Sequence, residues 1–346
     1  MQLMVLDKNF MPTGKGVLPF TDLAWRRKYY ETGQFSVQIL ASDYNSDMAY
    51  IYTAQRPEIG IIECVQYKDS DFMIVLSGFF YEKRLSDKIV YPTFYGHGTR
   101  AALAKEIILR YKDDIPKLEI GICADGGGNI AKQETGGDLE ETIRSILLPD
   151  EKSVRCRYDY ERDIMYADIW QGVNRTQSQT DSNFVTFSNG FRNIKNVSAK
   201  NDSSNYKNYA LVGGSGEGDQ RIYAEVDLSG GLYKRKIFVD ARNEQYDPES
   251  QTLDEYRAAL AEKGLESLQK YVDISNVEFD AIADSGFRYL EDYDLGDKCD
   301  IIIEEMQKSY EARIIEIYET WSRGEHTVTL TFGDKIPTLY ERARAK

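Results

Sequence analysis

Residues 23–40 have the sequence LAWRRKYYETGQFSVQIL, which is the pattern of a β-hairpin. Three apolar or aromatic residues precede a turn at Thr32-Gly33, namely Leu23, Trp25 and Tyr29. After the turn, three apolar residues alternate with polar neighbours, namely Phe35, Val37 and Ile39. Alternation with a period of two is typical of a strand that buries one face. We therefore predict two antiparallel strands here.

The hairpin pattern recurs at residues 59–81. The apolar stretch 61–65 leads into the polar turn 68–71, and the apolar stretch 72–76 returns. Hairpins in sequence need protected edges, which a closed barrel or a sandwich provides. We therefore expect residues 1–97 to form an antiparallel β-barrel domain.

The pattern becomes helical after residue 98. Thr99 can cap a helix, and four apolar residues follow at helical spacing, namely Leu103, Ile107, Ile108 and Tyr111. Asp138 can cap a second helix, with Glu141 three residues later as in a capping box. Pro149 ends that helix. Residues 98–165 are predicted to be a small α/β domain.

Strands resume after residue 165 and continue to a final hairpin. That hairpin pairs residues 312–320 with residues 326–332 across a turn at 322–325. Antiparallel hairpins on both sides of a helical stretch suggest that the first domain has a counterpart. We predict a second β-barrel domain, assembled from residues 166–238 and 283–346.

A polar segment at residues 239–282 interrupts the second β-domain. Thr252 and Glu255 have the spacing of a capping box, and an apolar stripe follows. We predict a helical insertion over this segment. The predicted fold class is thus α+β and β-rich, with two antiparallel β-barrel domains, a small α/β domain and a helical insertion.

Charge and composition exclude several classes of protein. The 346 residues carry a formal net charge of −14, whereas a protein that grips nucleic acid needs clustered Lys and Arg. The N-terminus lacks the basic and apolar regions of a signal peptide. The most apolar stretch, 72–81, is about half as long as the ~20 residues of a membrane helix. We expect a protein without membrane insertion, made in a reducing cytoplasm.

Two stretches are candidates for a ligand site. The glycine-rich stretch 213–219 lacks the Lys-Ser or Lys-Thr pair of a phosphate-binding loop, and Glu217 would repel phosphate. The acidic stretch 291–300 places glycine at position five when counted from Asp292, whereas a calcium loop needs it at position six. We predict neither a cofactor nor a metal site.

The sequence also contains no pattern that identifies catalytic residues. His97 and His326 are the two histidines, and the four cysteines have neither zinc nor redox spacing. A carboxylate pair for glycoside hydrolysis is possible among 57 acidic residues, but no pattern singles one out. We predict no catalytic residue. A cell-wall hydrolase and a carbohydrate-binding protein, the latter suggested by 25 tyrosines, are the alternatives to a structural protein.

Five stretches follow one another along the chain in a recognisable order, namely WRRKYYETGQFSV (25–37), VTFSNGFRNI (185–194), NYALVGGSG (208–216), GLYKRKIFVDAR (231–242) and YDLGD (293–297). This order of motifs resembles that of the siphovirus Gp37-like tail hub proteins, relatives of the baseplate hubs of contractile tails. The sequence departs from the family pattern at Lys236, where an acidic residue is expected. The structural motif positions that the resemblance implies are Gly213, Gly214, Gly216, Asp240, Arg242, Asp294, Gly296 and Asp297.

The resemblance also implies an architecture and partners. The two barrels would resemble tail-tube subunits, and a homotrimer would form a ring that caps the tail tube at the virion tail tip. Its partners would be the distal tail protein, the tail tube, the tape-measure protein and a fibre or spike protein. DNA would pass through the channel without specific binding, and assembly would take place in the cytoplasm of the bacterial host.

Overall fold

The computed structural model describes residues 1–68, 72–124, 126–271, 274–282 and 286–333. Within these ranges there are 21 strands and four helices. The strands are β1 (Leu3–Leu6), β2 (Pro12–Leu18), β3 (Asp22–Lys28), β4 (Gln34–Leu40), β5 (Tyr50–Tyr52), β6 (Ile59–Lys68), β7 (Met73–Phe80), β8 (Phe94–Thr99), β9 (Leu118–Cys123), β10 (Asn129–Glu134), β11 (Ser153–Asp159), β12 (Ile164–Trp170), β13 (Thr186–Ser188), β14 (Ile194–Asp202), β15 (Tyr209–Gly213), β16 (Tyr223–Asp227), β17 (Lys236–Asp240), β18 (Ile274–Ala281), β19 (Lys298–Ile303), β20 (Lys308–Ser322) and β21 (Glu325–Phe332). The helices are α1 (Lys83–Ser86), α2 (Arg100–Tyr111), α3 (Leu139–Leu147) and α4 (Leu253–Leu268).

The β3–β4 hairpin lies at the centre of the largest sheet. The two strands pair antiparallel, with Trp25 opposite Phe35. Every second residue of both strands is buried, because successive side chains of a strand point to opposite faces. The hairpin predicted from residues 23–40 is confirmed.

The second predicted hairpin consists of β6 and β7, which place Val65 opposite Leu76. β7 also pairs with β4, so the two hairpins share one sheet and a core that includes Trp25. Residue 68 of the predicted turn ends β6, and residues 69–71 lie outside the described part of the chain.

A second neighbour of β3 is β20, near the end of the chain. Their antiparallel ladder places Trp25 opposite Glu319 and Asp22 opposite Ser322. The first and last strands therefore belong to one sheet, with the pairing order β14-β18-β21-β20-β3-β4-β7-β6-β5-β1-β2. Among the described residues this path stays open, so the two closed barrels remain a prediction. The β-rich α+β class is confirmed.

The helices α2 and α3 begin at their predicted caps. The Thr99 hydroxyl accepts a hydrogen bond from the Ala102 amide, and the Asp138 carboxylate accepts one from the Glu141 amide at 2.9 Å. Both helices share a core with β9, β11 and β12, and β9 runs parallel to β12. None of the described helices is long and apolar enough to cross a membrane.

The glycine-rich region differs from the prediction. β15, β16 and β17 form a three-stranded sheet of their own, and α4 packs Tyr256 and Leu260 against Ala210 and Val212 on one face of it. The assignment of the first two strands to the second β-barrel is therefore wrong. Alternation predicts that a strand buries one face, but it does not predict which core receives that face.

The strand β18 was assigned to the wrong unit as well, in this case to the helical insertion instead of the β-sheet. The sequence prediction includes it in the helical insertion, whereas it pairs with β14 and β21 in the largest sheet. Val277 and Phe279 bury their side chains in the core of the last strands. The polar residues of this segment favoured the prediction of a surface helix. Apolar residues at every second position, however, are typical of a strand.

Candidate functional site

The eight motif residues lie in two places. Asp294, Gly296 and Asp297 lie in the turn before β19, where the first strands, the α/β region and the last strands meet. We call these three residues and their contacts the junction. The other five lie in the unit of β15–β17 and α4, which we call the insertion unit: Gly213, Gly214, Gly216, Asp240 and Arg242.

A buried arginine holds the junction together. Arg27 on β3 has only 1% of its surface exposed. Its Nε donates to Glu58 Oε1 at 2.7 Å, and its Nη1 donates to Asp294 Oδ1 at 2.5 Å and to the Tyr289 hydroxyl at 2.8 Å. Burial alone would lower the pKa of Arg27, but Asp294 and Glu58 raise it well above its ordinary value. The guanidinium stays charged and ties β3 to two loops.

A second ion pair lies beside the first. Glu319 on β20 is fully buried. It accepts hydrogen bonds from Arg56, from the Tyr289 hydroxyl at 3.2 Å and from His326 at 3.1 Å. Burial alone would raise the pKa of Glu319, but the hydrogen bonds from Arg56 and His326 lower it below its ordinary value. The two pairs share Tyr289, so they form one network.

Asp297 fixes the chain segment that follows β12. Its carboxylate accepts hydrogen bonds from the Val173 amide at 2.8 Å, from Arg175 Nε at 2.6 Å and from the Asp294 amide at 3.1 Å. Burial nevertheless raises the pKa of Asp297 above its ordinary value. Three donors from two segments hold both segments against the start of β19.

Gly296 permits the closest packing in the junction. Its φ is +84°, and a Cβ added there would lie 2.5 Å from the Tyr29 ring and 3.0 Å from Trp170. The Tyr29 hydroxyl donates to the carbonyl of Glu151 at 2.9 Å. Arg313 donates to the carbonyl of Gly296 and to the Glu151 carboxylate. Only glycine leaves room here for the aromatic pair.

In the insertion unit, Arg221 binds the backbone of the glycine stretch. It donates to the Gly213 carbonyl at 2.7 Å, to the Gly214 carbonyl at 3.0 Å and to Asp240 Oδ1 at 2.5 Å. Arg242 binds the same carboxylate at 2.6 Å. Arg221, which the motif did not include, thus binds Gly213, Gly214 and Asp240, while Arg242 shares the Asp240 carboxylate and Gly216 lies beside the Arg221 backbone.

The sequence matches the family described as Siphovirus ReqiPepy6 Gp37-like protein over residues 2–334. The chain belongs to this family. The match confirms the resemblance inferred from the motifs, and it spans both the junction and the insertion unit. No match was found among the curated proteins.

Three solved tail proteins have the fold of this Gp37-like protein. The 43 kDa tail protein of prophage MuSo2 from Shewanella oneidensis has a TM-score of 0.64 at 13% identity, covering 97% of this chain and 99% of that chain. The tail protein from Neisseria meningitidis MC58 has a TM-score of 0.60 at 14% identity, covering 96% of each chain. Prophage tail protein gp18 from Listeria monocytogenes EGD-e has a TM-score of 0.60 at 12% identity, covering 99% and 98%. Family and fold place the Gp37-like protein among phage and prophage tail proteins.

Replacing Gly216 with alanine should lower the free energy of unfolding by about 1–2 kcal/mol. Its φ is +97°, and a Cβ would lie 2.6 Å from the Gln220 carbonyl oxygen. Urea unfolding measures the loss. Gly128→Ala is the matched control, because a Cβ there meets nothing within 4 Å. Equal losses in the two variants would contradict the strain assigned to Gly216.

The chemistry of these groups favours a structural role. Burial raises the pKa of the Cys156 and Cys299 thiols well above the ordinary value, which keeps them protonated and poorly nucleophilic. The His326 ring stacks on Trp321 at 4.3 Å and faces Glu319. In the described ranges, no group of three or more His, Cys, Asp or Glu side chains could hold a metal ion.

Sequence reasoning missed the arginines of the Gp37-like protein. Arg27 follows Leu23 and Trp25 at every second position, so the alternation already put it on the buried face of β3. A charge on a buried face needs a partner, and that signal was available. The partners of Arg27 could not be predicted from the sequence, because Glu58 and Asp294 are 31 and 267 residues away along the chain.

Proposed function

We propose that the protein is a structural hub of the tail tip, with no catalytic role. In this proposal three copies form a ring that caps the tail tube and links it to the distal tail ring and to a fibre or spike. The observation that carries it is the β3–β20 ladder, which joins the first and last strands in one sheet. A subunit built this way can transmit load between neighbours above and below.

Rigidity is what the junction contributes to such a hub. We call the strands β1–β7 the first β-region and the strands β18–β21 the last β-region. The buried networks of Arg27 and Glu319 lie at the β3–β20 ladder and bind the loop before β6 and the loop before β19. Breaking a buried ion pair on one side costs several kcal/mol, so the two β-regions resist movement relative to each other. We propose that each of the two β-regions is a tail-tube-like barrel domain. Three subunits would then present six such domains to a hexameric tube.

The charge of the chain suits a DNA channel. A basic lining would bind the duplex through counterion release and slow its passage. Acidic residues repel it weakly, and physiological salt screens that repulsion beyond roughly 8 Å. The net charge of −14 per chain supplies carboxylates for such a lining. DNA would pass through this channel without specific binding, and the tape-measure protein would be a partner of the ring.

Imaging of assembled tails tests the hub. We expect this chain as a closed three-fold ring on the tail axis, with an inner surface that is net negative, since an open head-to-tail contact would form fibres instead. A single off-axis copy, or a channel lined by Lys and Arg, would contradict the proposal. Sustained release of fragments from peptidoglycan by the pure protein would instead favour the cell-wall hydrolase.

A further inference from the structure

The loop between β16 and β17 presents two apolar side chains to solvent. Tyr233 is 85% exposed and Leu232 is 77% exposed, the highest values among the large hydrophobic residues described. Single exposed apolar residues are common on protein surfaces, whereas adjacent ones form a contiguous apolar patch, and patches rimmed by polar residues mark interaction sites.

This loop is fixed in shape by Asn208. The Asn208 side chain accepts a hydrogen bond from the Arg235 amide at 2.7 Å and donates to the Tyr233 carbonyl at 3.1 Å. Its backbone bonds Arg235 and Leu228 on the two arms of the loop. Gly230 and Gly231 have positive φ values and form the tip. The loop is therefore preorganised, so that it loses little conformational entropy when it binds a partner.

Basic side chains follow the apolar tip. Lys234, Arg235 and Lys236 are consecutive in a chain whose net charge is −14. Lys234 pairs with Asp227 at 2.6 Å, and Arg235 binds the carbonyls of Ser203 and Ser204. Lys236 is exposed and extends over a tyrosine ring. An acidic surface with an apolar floor is the complement of this loop.

A cleft of that kind lies on the same chain. It has a volume of about 640 Å³ and is lined by residues of α4, β16 and β10. Its lining combines apolar residues that include Ile130 and Leu265 with five carboxylates, namely Glu225, Asp227, Asp254, Glu255 and Glu262. Two of these are paired within the chain, Asp227 with Lys234 and Glu262 with Arg100. The Asp254 side chain is 96% exposed, and its described cation, Arg257, lies 3.9 Å away.

We propose that the 228–236 loop of one copy docks in the acidic cleft of the next copy around the ring. The inference rests on the proposed trimer. The occupant is a second copy because the loop is basic and the rest of the chain is strongly acidic. Leu232 and Tyr233 fill the apolar floor, and Lys236 faces Asp254 at the rim. The loop and the cleft share only Leu228, so each copy presents two different patches, and the contact is heterologous and closes into a ring.

Removing the apolar tip tests the loop. Leu232→Ser with Tyr233→Ser should raise the dissociation constant of the oligomer about 10- to 100-fold, as expected for anchors at the centre of an interface. Sedimentation velocity over a concentration series measures it. Leu109→Ser, at a side chain 51% exposed on α2, is the control and should have no effect. Circular dichroism and the melting temperature should match wild type, since both loop side chains are exposed.

A charge exchange tests the cleft. Lys236→Glu and Asp254→Lys should each weaken association about 5- to 10-fold, and the double variant should restore it. Lys105→Glu, on exposed α2 surface, controls for net charge. Failure of the double variant to recover, or a wild-type chain that stays monomeric at every concentration, would overturn the docking. A trimer insensitive to all these variants would overturn the docking while leaving the hub intact.

Discussion

Replacing Arg27 with leucine should lower the free energy of unfolding by about 3–5 kcal/mol, the cost of leaving a buried carboxylate without its partner. Glu58 and Asp294 would both lose their guanidinium donors. Glu58 is 5% exposed, so water cannot replace that donor without opening the structure. Denaturant unfolding of the whole chain measures the loss. The same variant should also expose the β3–β20 ladder to faster amide exchange.

Two further variants separate charge from packing at Arg27. Arg26→Leu changes a neighbouring side chain that is 35% exposed and lies 3.5 Å from Glu316, so it should cost less than about 1 kcal/mol. Removing Glu58 as well, in Arg27→Leu with Glu58→Leu, should recover part of the loss. A single Arg27→Leu variant within about 1 kcal/mol of wild type would contradict the role given to the network.

Local patterns predicted the hairpins and the helix starts. Alternation in residues 23–40 and the caps at Thr99 and Asp138 depend on neighbours a few positions away, and these parts were confirmed. The β3–β20 ladder was not predicted. It brings Asp22 opposite Ser322, and a sequence pattern carries no information on which distant edge a strand will choose.

In the candidate site, too, some residues could be predicted from the sequence, whereas those that depend on distant partners could not. The resemblance picked Asp294 and Gly296, and the structure places both in the junction. It did not pick Arg221, whose importance depends on three acceptors that only the folded insertion unit brings together. Burial and charge pairing across long sequence distances are tertiary properties, so they were outside the reach of spacing rules.

One buried carboxylate near the junction has no cation in hydrogen-bond contact within the described part of the chain. Glu82 precedes α1 and is 5% exposed; its Oε1 accepts a hydrogen bond from the Cys156 amide at 2.7 Å. Its Oε2 has no hydrogen-bond partner among the described residues, and neither has Oε2 of Glu58. Burial, above all, raises the pKa of Glu82 to about 7; Glu58 raises it as well, whereas the Cys156 amide and Arg144 oppose the shift.

Glu82→Gln should therefore stabilise the protein at pH 8 and have little effect at pH 5. A carboxyl whose folded pKa lies above the unfolded value contributes stability below the unfolded pKa, near 4.5, and loses that contribution as the pH rises through the folded value. With about 1.4 kcal/mol for each pKa unit, the charged Glu82 costs on the order of 3 kcal/mol above pH 7, and glutamine, which carries no charge, avoids most of that cost.

The measurement is the free energy of unfolding from urea titrations at several pH values between 5 and 8. The difference between Glu82→Gln and wild type should grow with pH through this window, because only the wild type ionises at position 82. Glu119→Gln, at an exposed position on β9, should give a difference that stays flat. A Glu82→Gln difference that is equally flat would show that Glu82 is already ionised at pH 5, and that a cation or water supplies the partner its Oε2 lacks.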